Sequence, residues 1–190
     1  MNHGNHRHPY SRKMASLGEE TLNFINDLIV LSFMKEIVAK VNSLTARLGR
    51  APRILLVDDE RAIVDSFRDG FEMLGYTAHS EMCTYRAARK ILEDATLYDV
   101  VLADYNNKGA SGDIIGGLTL HRTLSEGSSL PALYILMSAQ NGFPVPEQVP
   151  FMQKPFGIVE VVGFVTEKLE ERTRSAGSTL REAVAYTYSK

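Results

Sequence analysis

Four short apolar runs in this 190-residue chain end in residues able to handle charge on oxygen. Asp58, Asp59 and Glu60 close "RILLVDDE" (53–60), Asp104 closes "DVVLAD" (99–104), Ser138 closes "ALYILMS" (132–138), and Lys154 follows "VPFMQ" (149–153). Clustered carboxylates repel one another unless a cation offsets them. Carboxylates with one hydroxyl and one ammonium suit a hard divalent cation, and Mg²⁺ is favoured because it needs few protein carboxylates and keeps its waters. Strand-end acids can instead cap the helices that follow, as Asp58 or Glu60 would at the first of these. That accounts for any one of the residues, but not for four run ends together.

The runs themselves say what must position these groups. From residue 53 onward, short β-rich stretches alternate with helical ones: 54–57, a helix through Ile63, Val64, Phe67, Phe71 and Leu74, a weak strand at 76–80, and a helix carrying Ala87, Ala88, Ile91 and Leu92. Then come 99–104, a helix through Leu118, Leu120, His121 and Leu124, the strand 132–138, a short strand at 149–155 and a closing amphipathic helix at 158–169. Strands that alternate with helices and are apolar on both faces predict a five-stranded parallel, doubly wound α/β sheet. Ligands in such sheets bind beyond the carboxyl ends of the strands. The chemically able residues stand at those ends.

"LLVDDE", "DVVLADY", "ILMSA" and "FMQKPF", in this order, resemble the receiver domain of two-component response regulators over residues 53–170. The resemblance implies a flavodoxin-like fold of strand order 2-1-3-4-5. It implies Mg²⁺ held by Asp58, Asp59, Asp104 and the backbone carbonyl of Asn106, with Asp104 as phosphoacceptor. Ser138 would bond the phosphoryl oxygen and Lys154 pair with it, while Ser138 and Phe151 form the switch. Asn106 and Gln140 fall where the family tunes hydrolysis of the acyl phosphate. The chemistry is coherent, because phosphoryl transfer needs a carboxylate nucleophile, a metal and a cation for the equatorial oxygens.

Two departures stand out. Lys108 replaces the family's proline four residues after the phosphoacceptor, and with Gly112 and "DIIGG" the following loop is about five residues longer, Gly-rich and expected to be mobile. Between Ser138 and Lys154 lie fifteen residues with Pro144, Pro146 and Pro150, where a receiver has a full helix, its helix 4. Proline at those positions predicts that this helix is reduced or absent. An apolar patch on the sheet would then be open, and the N-terminal helix is a candidate to cover it.

That helix is expected over 17–50, ended by Gly49 and Pro52, with Val30, Met34, Ile37, Val41, Leu44 and Leu48 forming a heptad seam. It must pack on the receiver (51–171) or form a homodimer. Residues 1–16 read as a flexible tail whose His3, His6 and His8 are solvated chain rather than a metal site. Residues 172–190 read as an extension with a cap at Ser178 or Thr179 and a short helix at 180–188, too small for a DNA-binding or enzymatic output domain.

Composition narrows the setting. Residues 1–50 hold seven Lys/Arg against four Asp/Glu and the remainder fourteen against nineteen, too weak an asymmetry for nucleic acid or a membrane surface. A lone Cys83 fits a reducing cytoplasm, and no run is long enough to span a bilayer. The expectation is a stand-alone cytoplasmic receiver phosphorylated on Asp104 by a histidine kinase or phosphotransfer protein, signalling through protein contacts: a phosphoacceptor with self-phosphorylation and autodephosphorylation chemistry rather than a turnover enzyme. The alternative is a degenerate receiver serving as a phosphorylation-independent dimerisation or interaction module. A phosphohydrolase would need an acid where Asn106 stands, and no histidine in 17–48 can serve as a phosphotransfer group.

Overall fold

A computed structural model describes residues 9–107, 116–127, 133–140, 142 and 144–188, with the side chains of 9–20, 22 and 176–188 left aside. The expected loop anomalies at Lys108 and Gly112 and the histidines of the tail lie outside the described residues. The chain divides into two units, Met1–Glu36 and Ile37–Lys190.

Helix α1 (Pro9–Leu48) runs through both. It begins inside the stretch expected to be tail, because proline is tolerated at a helix's first position, where its missing N–H is not needed. In the first unit the apolar residues face solvent: Phe24, Ile25, Leu28, Ile29 and Leu31 are each about half exposed or more. In the second unit, Ile37, Val41 and Leu44 are buried. The heptad seam therefore splits, with its C-terminal half consumed by packing inside the chain and Val30 left exposed.

The second unit continues with β1 (Arg53–Val57), α2 (Arg61–Met73), β2 (Thr77–Glu81), α3 (Thr84–Glu93), β3 (Val100–Asp104), α4 (Gly117–Gly127), β4 (Leu133–Ser138), β5 (Phe151–Gln153) and α5 (Ile158–Tyr188). All pairings are parallel, as the alternating runs predict, and the sheet order is β2-β1-β3-β4-β5, as the resemblance to receivers implies. The three central strands β1, β3 and β4 are buried almost throughout because helices cover both faces. On one face Leu55, Val57, Val101, Ala103, Tyr134 and Leu136 pack with Ala87 and Ile91 of α3 and Leu120 and Leu124 of α4. Their alternates along each strand point to the other face, where Val64, Phe67 and Phe71 of α2 and Val161, Val162, Val165 and Leu169 of α5 are buried. The α2–α5 approach is close at Gly70, where a Cβ would stand 2.2 Å from Ile158 Cγ1. At the opposite end of the sheet from the strand-end acids, Arg50 donates two hydrogen bonds to Asp99, at 2.6 and 2.9 Å, and the Arg53 amide donates a third at 2.8 Å, fastening the end of α1 to β1 and β3.

No helix joins β4 to β5 among the described residues; only a turn at 147–149 interrupts the segment. The prolines prevent one, as expected. The space is filled in part from within, since Val149 is buried and Val145 half-buried against the α3–α4 core. Residues 37–48 of α1 do not cover it: Val41 lies against Gly75 after α2, and Arg47 donates to the Thr173 hydroxyl of α5 at 3.5 Å. The C-terminal extension is also not a separate element. α5 is one helix to Tyr188, because Gly177 alone costs only about 1 kcal/mol in a helix and no proline follows it.

Candidate functional site

Each site residue stands at a strand end because the apolar run before it is drawn into the sheet and its own polarity is not. Asp58 follows β1 directly, Asp104 and Ser138 are the last residues of β3 and β4, and Lys154 follows β5. The parallel register sets Ala103 beside Leu136 and Ser138 beside Gln153, so the ends align at one edge. Three of them share a local device. The Asp58 carboxylate accepts the Glu60 N–H at 2.9 Å, the Asp104 carboxylate the Asn106 N–H at 2.8 Å, and the Ser138 hydroxyl the Gln140 N–H at 3.0 Å. Short oxygen-bearing side chains make such bonds two residues on, where a strand turns into a loop. Each bond holds its side chain over the sheet edge.

Lys154 joins them. Its ammonium donates to Asp58 Oδ2 and to Asp104 Oδ1, each at 2.8 Å, and its backbone N–H donates to the Ser138 carbonyl at 2.7 Å. The Lys154–Pro155 peptide is cis. Asp58 is 2% exposed and Asp104 8%. Burial raises the Asp58 pKa above the ordinary carboxylate range, against the opposing pull of Lys154 and of the Glu60 N–H. Burial would lower that of Lys154, but its bonds to Asp104 and Asp58 outweigh it and leave the ammonium more basic than usual.

One ammonium thus faces two desolvated carboxylates among the described residues, and a further cation would offset the carboxylate charge that Lys154 leaves. Among the described residues no group of three or more His, Cys, Asp or Glu is arranged to hold a metal. Asp59 is half-buried and joins neither the Lys154 bonds nor the Asp104 bonds. An ion that keeps several waters needs no such cage, so the pair of Asp58 and Asp104 with a loop carbonyl fits Mg²⁺. Glu60 is the residue before α2, where its carbonyl accepts the first helical N–H groups and its side chain makes no cap bond.

No family model matches the chain, and no curated protein matches it by sequence. Solved structures do. They include the signal receiver domain of a putative LuxO repressor protein from Vibrio parahaemolyticus (15% identity, 67% of this chain and 96% of that one, TM-score 0.56). A CheY-like receiver domain protein from Methanospirillum hungatei JF-1 matches at 21% identity over 65% and 98%, TM-score 0.54. A beryllofluoride-activated NtrC4 receiver domain, described as a dimer, matches at 23% over 64% and 98%, TM-score 0.52. The chain has the receiver fold.

Within that receiver fold, Phe151 is half-buried against the α3–α4 core. Asn106 and Gln140 reach the edge through the backbone amides already described. Other features escaped the sequence reading. A recess of about 380 Å³ opens beside Lys154, walled by Ile63, Ser66, Phe67, Pro155 and Phe156, with the Phe67 and Phe156 rings stacked 5.9 Å apart. Asn107 is fully buried, and its side-chain amide has no hydrogen-bond partner among the described residues. Gly116 and Gly117 press on the end of β3 and the turn after it: a Cβ on Gly116 would lie 1.9 Å from the Tyr105 carbonyl oxygen, and one on Gly117 2.6 Å from that of Asp104. The paired glycines of "DIIGG" were the available signal, but sequence does not say which backbone they approach.

Proposed function

We propose that this chain accepts a phosphoryl group on Asp104 from a histidine kinase or phosphotransfer protein, in a Mg²⁺-dependent reaction, and signals by protein–protein contact in the cytoplasm. The observation that carries this reading is the Lys154 ammonium held 2.8 Å from the buried carboxylates of both Asp104 and Asp58. In the transfer, an Asp104 carboxylate oxygen forms the new P–O bond while the P–N bond of a phosphohistidine donor breaks and the imidazole leaves with the electron pair. Lys154 neutralises charge on the phosphoryl oxygens and Ser138 offers them its hydroxyl. Asp58, Asp59, Asp104 and the Asn106 carbonyl would hold Mg²⁺, which would supply the remaining charge neutralisation there. Hydrolysis of the acyl phosphate by water then returns Asp104 to its carboxylate, with Asn106 and Gln140 flanking the approach and Ser138 and Phe151 acting as the switch.

No helix among the described residues is long and apolar enough to cross a membrane, which agrees with that setting. The exposed apolar residues of α1 support a homodimer through this helix. A solved dimer of the same fold, the activated NtrC4 receiver, makes self-association a familiar use of it.

The test is incubation with a small phosphodonor and Mg²⁺ followed by intact mass. Gain of one phosphoryl group by the natural chain, absent in Asp104→Asn, is the expected result. No gain with any donor moves the reading to a phosphorylation-independent interaction module working through α1.

A further inference from the structure

Tyr134 stands on β4, four residues before Ser138, and its ring is buried in the core between the sheet and α4. A buried phenol needs a partner for its hydroxyl. That partner is the carbonyl oxygen of Gly117, the first residue of α4, accepting at 2.7 Å. Gly117 in turn lies against the phosphoacceptor strand itself. A methyl group on it would meet the Asp104 carbonyl oxygen at 2.6 Å, Leu136 Cδ2 at 2.9 Å and Ala103 Cβ at 3.1 Å. The start of α4 is thus wedged between the Tyr134 hydroxyl and the Asp104 backbone.

We infer that Tyr134 is a positioning residue for phosphoryl transfer: by tying down the first turn of α4 through Gly117, it fixes the backbone of Asp104 and with it the carboxylate. This rests on the reading of Asp104 as phosphoacceptor. The carboxylate has two anchors, Lys154 Nζ on Oδ1 and the Asn106 N–H on Oδ2, each at 2.8 Å. Both require the β3 end and the turn after it to hold their place. The helix start that packs on this turn carries no side chain at Gly116 or Gly117 with which to lock itself. Glycine allows the close approach while leaving the backbone the freest of any residue. An external hydrogen bond to the Gly117 carbonyl supplies the missing constraint, and Tyr134 supplies that bond from a strand paired directly with β3. His121, one turn along α4, packs edge-on against the same ring with centroids 5.0 Å apart and keeps the phenol from swinging away.

The experiment uses the full chain with a small phosphodonor and saturating Mg²⁺, following phosphorylation by intact mass, in Tyr134→Phe, in Gly117→Ala, and in Ile91→Val as a core control in the same cluster. Loss of one buried hydrogen bond predicts a phosphorylation rate lower by about 2- to 10-fold in Tyr134→Phe. A larger loss is expected in Gly117→Ala, and none in Ile91→Val at a comparable fall in melting temperature. A merely structural role would not move a second readout, the ¹H–¹⁵N resonance of the Asn106 amide without phosphodonor. It shifts in Tyr134→Phe and Gly117→Ala but not in Ile91→Val if the inference holds. Equal rates in Tyr134→Phe and the natural chain, an unshifted Asn106 amide, or a Tyr134→Phe chain that does not fold each overturn it. If the natural chain takes up no phosphoryl group, the proposed function falls, while the Asn106 resonance still decides whether Tyr134 positions this edge.

Discussion

Replacing Lys154 with methionine removes the ammonium that pairs with the Asp58 and Asp104 carboxylates while keeping most of the side chain's volume. The three side chains are 15%, 3% and 11% exposed, so solvent screens the pair little. Breaking a buried, hydrogen-bonded ion pair by removing one partner typically costs about 3–5 kcal/mol. For a unit of this size each kcal/mol shifts the melting temperature by roughly 2–4 °C, so a fall of about 10 °C is expected near neutral pH in EDTA. Toward lower pH, Asp58 limits the loss by taking up a proton. Burial already raises its pKa, and without Lys154 the opposing pull is gone, so the pKa rises further. A carboxyl whose folded pKa is raised favours the fold at low pH, and that advantage disappears as pH climbs through the folded value. The deficit of Lys154→Met should therefore be larger at about pH 8 than at about pH 5. Millimolar Mg²⁺ should recover part of it at the higher pH, because an ion that binds only the folded chain stabilises it by mass action. Thermal melts of both chains, at both pH values, with EDTA and with Mg²⁺, check all three. Equal melting temperatures in EDTA, or a deficit that grows as pH falls, would refute the account of the cluster as carboxylates held by one ammonium.

Three further outcomes follow from the packing. Gly70→Ala should lower stability, because overpacking of about 1–3 kcal/mol against Ile158 exceeds the gain in helix propensity of about 1 kcal/mol, and in an Ile158→Ala background the loss should vanish, as a double-mutant cycle of melts will show. Burial raises the pKa of the Tyr76 phenol, against a bond to Thr166, and that of Tyr134. Their contribution is present below about pH 10, the unfolded value, and is lost as pH rises past it, in the same direction as Lys154; Tyr76→Phe should flatten this alkaline fall in denaturant titrations. Leu28→Glu with Leu31→Glu, both on the exposed part of α1, should abolish self-association in sedimentation while leaving phosphorylation of Asp104 unchanged.

The parallel sheet and the edge on which Asp58, Asp104, Ser138 and Lys154 gather were legible in the apolar runs, while the strand order was implied only by the resemblance to receivers. Continuous aliphatic runs bury on both faces, and only the polar residue that ends each run can emerge. That no helix joins β4 to β5 among the described residues was legible for an equally local reason, since three prolines in one short segment forbid it. Other features depend on contacts between residues far apart in the chain, which no local pattern encodes. The heptad seam of α1 reads as a single surface, yet tertiary packing buries Ile37, Val41 and Leu44 and leaves Val30 exposed. Which carboxylates share Lys154 is likewise a matter of register and depth, and Asp59, identical in type and adjacent in sequence, stays outside those bonds. The role of Gly117 is the clearest case: sequence shows a glycine, and only the fold sets its Cα against Asp104 and its carbonyl on Tyr134, because close approach is a property of two backbones and not of either segment alone.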